Sequence, residues 1–138
     1  MFELKTAALA CWLVAASLPA AAQMGAAAAI PPEAVADAPA VARGKALYES
    51  RCGACHSVDA NRVGPSHQGV VGRKAGSVPG FDYSKALAGS QVIWTPANLL
   101  TWLAGPEAVI PGQQMGYSMG EARDREDVVA YLATLRSR

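Results

Sequence analysis

Cysteine is scarce in this chain of 138 residues, with three in all, at Cys11, Cys52 and Cys55. Cys11 falls in an N-terminal apolar run that reads as a removable leader, so the remainder keeps one closely spaced pair and no structural disulfide is expected. Zinc needs about four ligands. Beyond that pair the chain offers only His56 and His67, and the adjacent Cys55 and His56 are awkward as two further ligands. No alternating apolar pattern of useful length occurs, which excludes a sheet-based fold and, with it, the βαβ context that a thioredoxin-like dithiol requires. Basic runs and Lys/Arg clusters interleaved with aromatics are also missing, and the formal charge is only +1, so nucleic acid is not an expected partner. The length limits the chain to one small domain with one core.

The beginning of the chain is of a different kind from the rest. Lys5 gives a modest positive start, residues 7–18 are apolar, and Ala20-Ala21-Ala22 provides a small-residue cleavage site before Gln23. Residues 1–22 are therefore expected to be a signal peptide for export to the periplasm. The rival reading is an uncleaved anchor, although the apolar stretch before Pro19 is shorter than the ~20 residues a membrane span requires. Lipidation of Cys11 is a poorer alternative, because Ala8-Leu9-Ala10 makes a weak lipid-attachment box. Residues 23–40, mostly Ala and Pro, read as a flexible leader or tether, and residues 41–138 as the folded domain.

Within the domain, Val41, Gly44, Leu47, Tyr48 and Arg51 fall on helical spacing that runs into Cys52. Gly44 costs this helix roughly 1 kcal/mol relative to alanine, accepted either for a close helix contact or as a tolerated glycine in the first turn. Residues 57–91 read as a long irregular section, marked by Gly64-Pro65 and Pro79-Gly80. Asp59, Asn61 and Arg62 read as solvated loop. Thr95-Pro96 reads as a cap and first position of a helix through Leu99, Leu100, Trp102 and Leu103, stopped by Gly105-Pro106, after which Val109 to Met115 is extended. The spacing of Val128, Tyr131, Leu132 and Leu135 predicts a C-terminal helix over 121–136. The class is all-α.

One motif carries chemistry. Cys52-Gly53-Ala54-Cys55-His56 has the spacing at which a c-type haem is attached, each thiol adding to a porphyrin vinyl group and the histidine lying beneath the iron. A haem also gives the long loop something to wrap around.

Further matches follow in order: Val63-Gly64-Pro65, Gly69-Val70-Val71-Gly72-Arg73-Lys74, Pro79-Gly80-Phe81-Asp82-Tyr83, Trp94 and Ile110-Pro111-Gly112-Gln113-Gln114-Met115. From about Val41 to Leu135 the chain resembles the class I cytochromes c, in their mitochondrial and related bacterial branch. The resemblance implies a small helical domain around one covalently bound haem c, with the first and last helices crossing at Gly44 and Tyr48 packed near Val128 and Tyr131. It implies thioether bonds at Cys52 and Cys55, His56 as proximal and Met115 as distal ligand, and the Pro65 carbonyl accepting the ring N–H of His56. Arg73, Tyr83 and Trp94 would serve the haem propionates. Met119 is the alternative ligand to Met115, and His67 is expected to be a surface loop histidine.

Four positions depart from the family pattern. Trp102 replaces a tyrosine, and its indole N–H donates but cannot accept, which leaves the hydrogen bond to the ligand sulfur for the structure to decide. Leu87 replaces an asparagine near an internal water, and Gln113 replaces a threonine. The lysine ring around the haem edge is mostly absent, with Glu107, Gln114 and Glu121 in its place. The expected function is one-electron transfer by a monomeric carrier, with no catalysis, in a bacterial electron-transport chain. Redox partner proteins would dock at the exposed haem edge. The alternatives are a membrane-tethered cytochrome c, if the N-terminal segment stays uncleaved, or the haem subunit of a periplasmic oxidoreductase.

Overall fold

The computed structural model describes residues 37–136. The expected signal peptide over residues 1–22 and most of the 23–40 leader lie outside the described residues.

The first helix, α1 (Ala38–Leu47), begins with Pro39 in its first turn, where the missing N–H has no partner to lose. It does not stop at Leu47. Tyr48–Cys52 continue it as a π-helical turn, in which the Gly53 N–H donates to the Tyr48 carbonyl at 2.9 Å. Such single turns collect at functional sites, and this one delivers the chain into Cys52.

At the other end of the domain, α5 (Ala122–Thr134) buries Val128, Val129, Ala130 and Leu132. α1 and α5 cross at Gly44, where a Cβ would lie 1.8 Å from the Asp127 carbonyl oxygen and 3.0 Å from Tyr131 Cβ. Close approach is thus the reason for this glycine. Beside the crossing, the Tyr48 and Tyr131 rings pack with centroids 5.3 Å apart. Arg43 grips the Asp127 carboxylate with two bonds of 2.7 and 2.9 Å, and Arg51 pairs with Asp124 at 3.2 Å.

Between these two helices the chain forms mostly loop. α2 (Lys85–Gly89) is a five-residue helix inside the section expected to be irregular, capped by Ser84 Oγ, which accepts the Leu87 N–H at 3.2 Å. α3 (Pro96–Ala104) starts where the sequence places it, with Thr95 Oγ1 accepting the Asn98 N–H at 3.1 Å, and it buries Leu99, Trp102 and Leu103 toward α5. Gly105 stops α3, but Pro106 then opens another one-turn helix, α4 (Pro106–Val109), ahead of the methionine loop. Proline's fixed φ suits a helix start as well as a stop, and the sequence reading allowed it only the stop.

The one bridge of extended backbone among the described residues pairs Lys74 with Ile93, and no strand forms. Among these residues no helix is long and apolar enough to cross a membrane. The Asn61 and Arg62 side chains are exposed, as expected of a solvated loop, yet they also staple it. Asn61 donates to the Pro79 carbonyl and accepts the Ser66 N–H, each at 3.0 Å, and Arg62 donates to the Gly53 carbonyl at 2.8 Å.

Candidate haem site

The π-helical turn ends in Cys52, half-buried, and the next turn presents Cys55 at the surface. Burial pushes the Cys52 thiol up to about 11, with the neighbouring Arg51 opposing and Cys55 adding to the shift. His56 follows, its Nδ1–H donating to the Pro65 carbonyl at 2.9 Å. A carbonyl can only accept, so this bond sets the tautomer and leaves the Nε2 lone pair for a metal. Burial lowers the His56 pKa, opposed by the Pro65 bond, and so favours the neutral, ligating form. Gly64 makes the close packing possible, since a Cβ there would fall 2.2 Å from His56 Cε1.

Met115 arrives from the opposite end of the chain on the loop after α4. Its Sδ accepts the Trp102 Nε1–H at 3.2 Å, so the indole does give the sulfur a hydrogen bond. The loop is braced from α4: the Gly112 N–H donates to Glu107 Oε1 at 2.8 Å, and Gln113 Nε2 donates to Glu107 Oε2 at 3.4 Å. Gln113 Oε1 accepts the Met115 N–H. Met119, the other thioether weighed as a ligand, is 1% exposed in the core, and its N–H donates to the Leu103 carbonyl at 2.7 Å.

The remaining predicted residues take mixed positions. Trp94 is buried, edge-on to Trp102 with centroids 5.0 Å apart, so the indole that reaches Met115 is backed by a second. Tyr83 Oη accepts the Val78 N–H at 3.4 Å, and burial raises its pKa. Arg73 donates to the carbonyls of Gln68 and Ser66, both at 2.8 Å.

His67 corrects the sequence reading. It is no surface loop histidine: its ring stacks on His56, with centroids 4.1 Å apart and 20° between planes, and its Nδ1 is hydrogen-bonded to the Tyr48 hydroxyl at 3.1 Å. Burial, with His56 and Arg73 adding to it, pushes its pKa down to about 3, so it is neutral at physiological pH. Nothing in the spacing around Pro65 marks it. The only available sign was that no acidic residue lies beside it to favour a charged, exposed imidazole.

The donor set fits a covalently held haem. Two thiols stand three positions apart on a turn, one neutral imidazole presents Nε2, and one thioether is aimed by an indole N–H, all in an all-α domain without another metal-binding cluster among the described residues. The class so defined is that of small monohaem c-type proteins.

Comparison with known proteins gives the particular family. The Cytochrome c family model matches residues 41–136. A cytochrome c2 of Rhodopila globiformis is 42% identical over 96 residues, spanning 67% of this chain and 91% of its own. A cytochrome c of Euglena viridis is 41% identical over 97 residues, spanning 68% and 95%. The solved structure of cytochrome cH from Methylobacterium extorquens superposes with a TM-score of 0.65 at 38% identity, covering 68% of this chain and 97% of that one. The chain belongs to the cytochrome c family: it binds one haem c covalently and carries electrons in bacterial electron transport, and it is not an enzyme.

Proposed function

We propose that Cys52 and Cys55 carry the thioether bonds, that His56 and Met115 are the axial ligands, and that the carrier works in the periplasm after removal of residues 1–22. The observation that carries this reading is that each proposed ligand is held by its own hydrogen bond, His56 by Pro65 and Met115 by Trp102.

When bound, the haem supplies the one-electron Fe(III)/Fe(II) couple. The chain's own part is to keep both ligands in place through the cycle. The Pro65 carbonyl raises the basicity of His56, while the Trp102 N–H draws electron density from the Met115 sulfur. With His56 and Met115 both holding the iron, a small molecule would have to displace Met115 to bind it, which is the arrangement of a carrier. Trp94, Trp102, Leu99 and Leu103 are buried beside the Met115 loop and would keep the haem's surroundings apolar, which favours the reduced, less charged state. Arg73, Tyr83 and Trp94 would bond the haem propionates directly or through water.

Redox partner proteins dock at the haem edge around Cys52, Gln114 and Met115, and the protein acts as a monomer. The deciding experiment is an optical spectrum of the oxidised holoprotein, with and without Met115→Ala. A weak near-infrared sulfur-to-iron band is expected in the wild type and is lost in the variant. Absence of the band from the wild type overturns the ligand assignment. Fractionation tests location: recovery with the soluble periplasm is expected, and retention in membranes would mean that the N-terminal segment stays as an anchor.

A further inference from the structure

The feature left unused by electron carrying is His67. The His67 side chain is partly withdrawn from water, and an imidazole so placed loses hydration that a leucine or phenylalanine of similar bulk would never have had, a cost of about 1–3 kcal/mol per polar group left without a partner. Space-filling alone would select an apolar side chain there.

The backbone around His67 is unusually well pinned. Its N–H donates to the Ser57 carbonyl at 3.0 Å, and the Gln68 N–H donates to the Val58 carbonyl at 2.6 Å, so residues 67–68 are laddered onto the two residues that follow His56. The Arg73 guanidinium grips the carbonyls on either side, Ser66 and Gln68. The Tyr48 hydroxyl then fixes the rotation of the His67 ring through Nδ1, and Tyr48 is itself 4% exposed and packed on Tyr131 at the helix crossing. The outcome is a flat ring, locked in orientation, lying nearly parallel to the His56 ring at 4.1 Å.

A single hydrogen bond from Nδ1 to Pro65 would leave an imidazole free to rock about the bond axis; the close backbone of Gly64 and the face-on His67 ring together remove that freedom. We propose that His67 is a positioning residue for the proximal ligand: stacked on His56 and locked by Tyr48, it fixes the plane in which the His56 ring stands. The inference rests on His56 being the ligand. It ties that plane to the α1 and α5 crossing through a chain from Tyr131 to Tyr48, His67 and His56.

The plane of an axial imidazole governs how unpaired spin is spread over the haem methyl groups of the oxidised form, which NMR reads as the order and spread of their shifted resonances. The test compares the wild-type holoprotein with His67→Leu, His67→Phe, Tyr48→Phe and the Tyr48→Phe/His67→Leu double variant. His67→Leu is expected to change the methyl pattern while keeping the near-infrared methionine band. His67→Phe, which retains a stacking ring, should lie nearer the wild type, and Tyr48→Phe should shift the pattern in the same sense as His67→Leu but less. Adding Tyr48→Phe to His67→Leu should change nothing more, since the hydroxyl would act only through the histidine. Should His67→Leu fail to hold haem, the Phe variant and Tyr48→Phe decide the matter alone. Methyl patterns in the variants that superimpose on the wild type overturn the proposal. Failure of the underlying ligand assignment would look different, because the wild type itself would then lack the iron-shifted ring protons of a bound imidazole.

Discussion

Trp102 reaches the proposed distal ligand through a single atom. Its indole N–H points at the Met115 sulfur from 3.2 Å and, being a donor only, it withdraws electron density from the sulfur that it also orients. If Met115 is the ligand proposed above, a sulfur so polarised binds the ferric state less well. Trp102→Phe keeps the ring and removes the donor. We expect the midpoint potential to fall by a few tens of millivolts, the equivalent of a fraction of one ordinary hydrogen bond of ~1 kcal/mol. Voltammetry of the two holoproteins measures it, and an unchanged or higher potential would show that the bond does not reach the iron.

The crossing of α1 and α5 is a contact between backbones, made possible by one missing methyl. With a Cβ at Gly44 set to fall 1.8 Å from the Asp127 carbonyl oxygen, substitution must push the helices apart and disturb the Tyr48 and Tyr131 packing together with the Arg43 pair. Gly44→Val should destabilise the holoprotein by upwards of about 2 kcal/mol in denaturant titration. The same crossing gives the fold an acid sensitivity. The Arg43 hydrogen bond holds the Asp127 carboxyl below its ordinary value of 3.8, against the opposing effect of burial. A depressed carboxyl contributes stability above its unfolded-state pKa and loses it as pH falls through the folded one. Because Arg43 is partly exposed, water screens the pair and the contribution is modest. In thermal melts from neutral pH down to about pH 2, the gap between wild type and Asp127→Asn should be open at neutral pH and close below about pH 4. A gap independent of pH would assign the loss to packing.

Across the whole molecule the charges nearly cancel, with 12 basic against 11 acidic residues. Glu107, Gln114 and Glu121 are exposed and add no positive charge to the proposed docking face. Long-range steering toward a charged partner is correspondingly weak. Electron-transfer rates with a soluble redox partner should therefore change less than about tenfold between low and high ionic strength, as stopped-flow mixing would show. A drop of several decades would reveal a concentrated charged face. Size has a further effect at this scale. A domain of about a hundred residues with so much loop buries little apolar surface of its own, so the bound haem adds to its stability in the manner of any ligand that favours the folded state.

By itself the sequence determined what is local and periodic. Cys52, Cys55 and His56 lie within a single turn. Thr95-Pro96 opens α3, as cap chemistry dictates, and the Val128 stripe shows which face of α5 is buried. Short helices escaped it, because α2 and α4 are too brief for any apolar period, and Pro106 can start a helix as readily as it ends one. Only the tertiary structure decided what depends on residues far apart in the chain. It gave Gly44 a neighbour at Asp127, turned the Trp102 N–H onto Met115, and moved His67 from an expected surface loop to the face of His56. Those outcomes follow from how separate segments pack. Direction and distance between side chains are fixed by that packing, and no spacing along one segment records them.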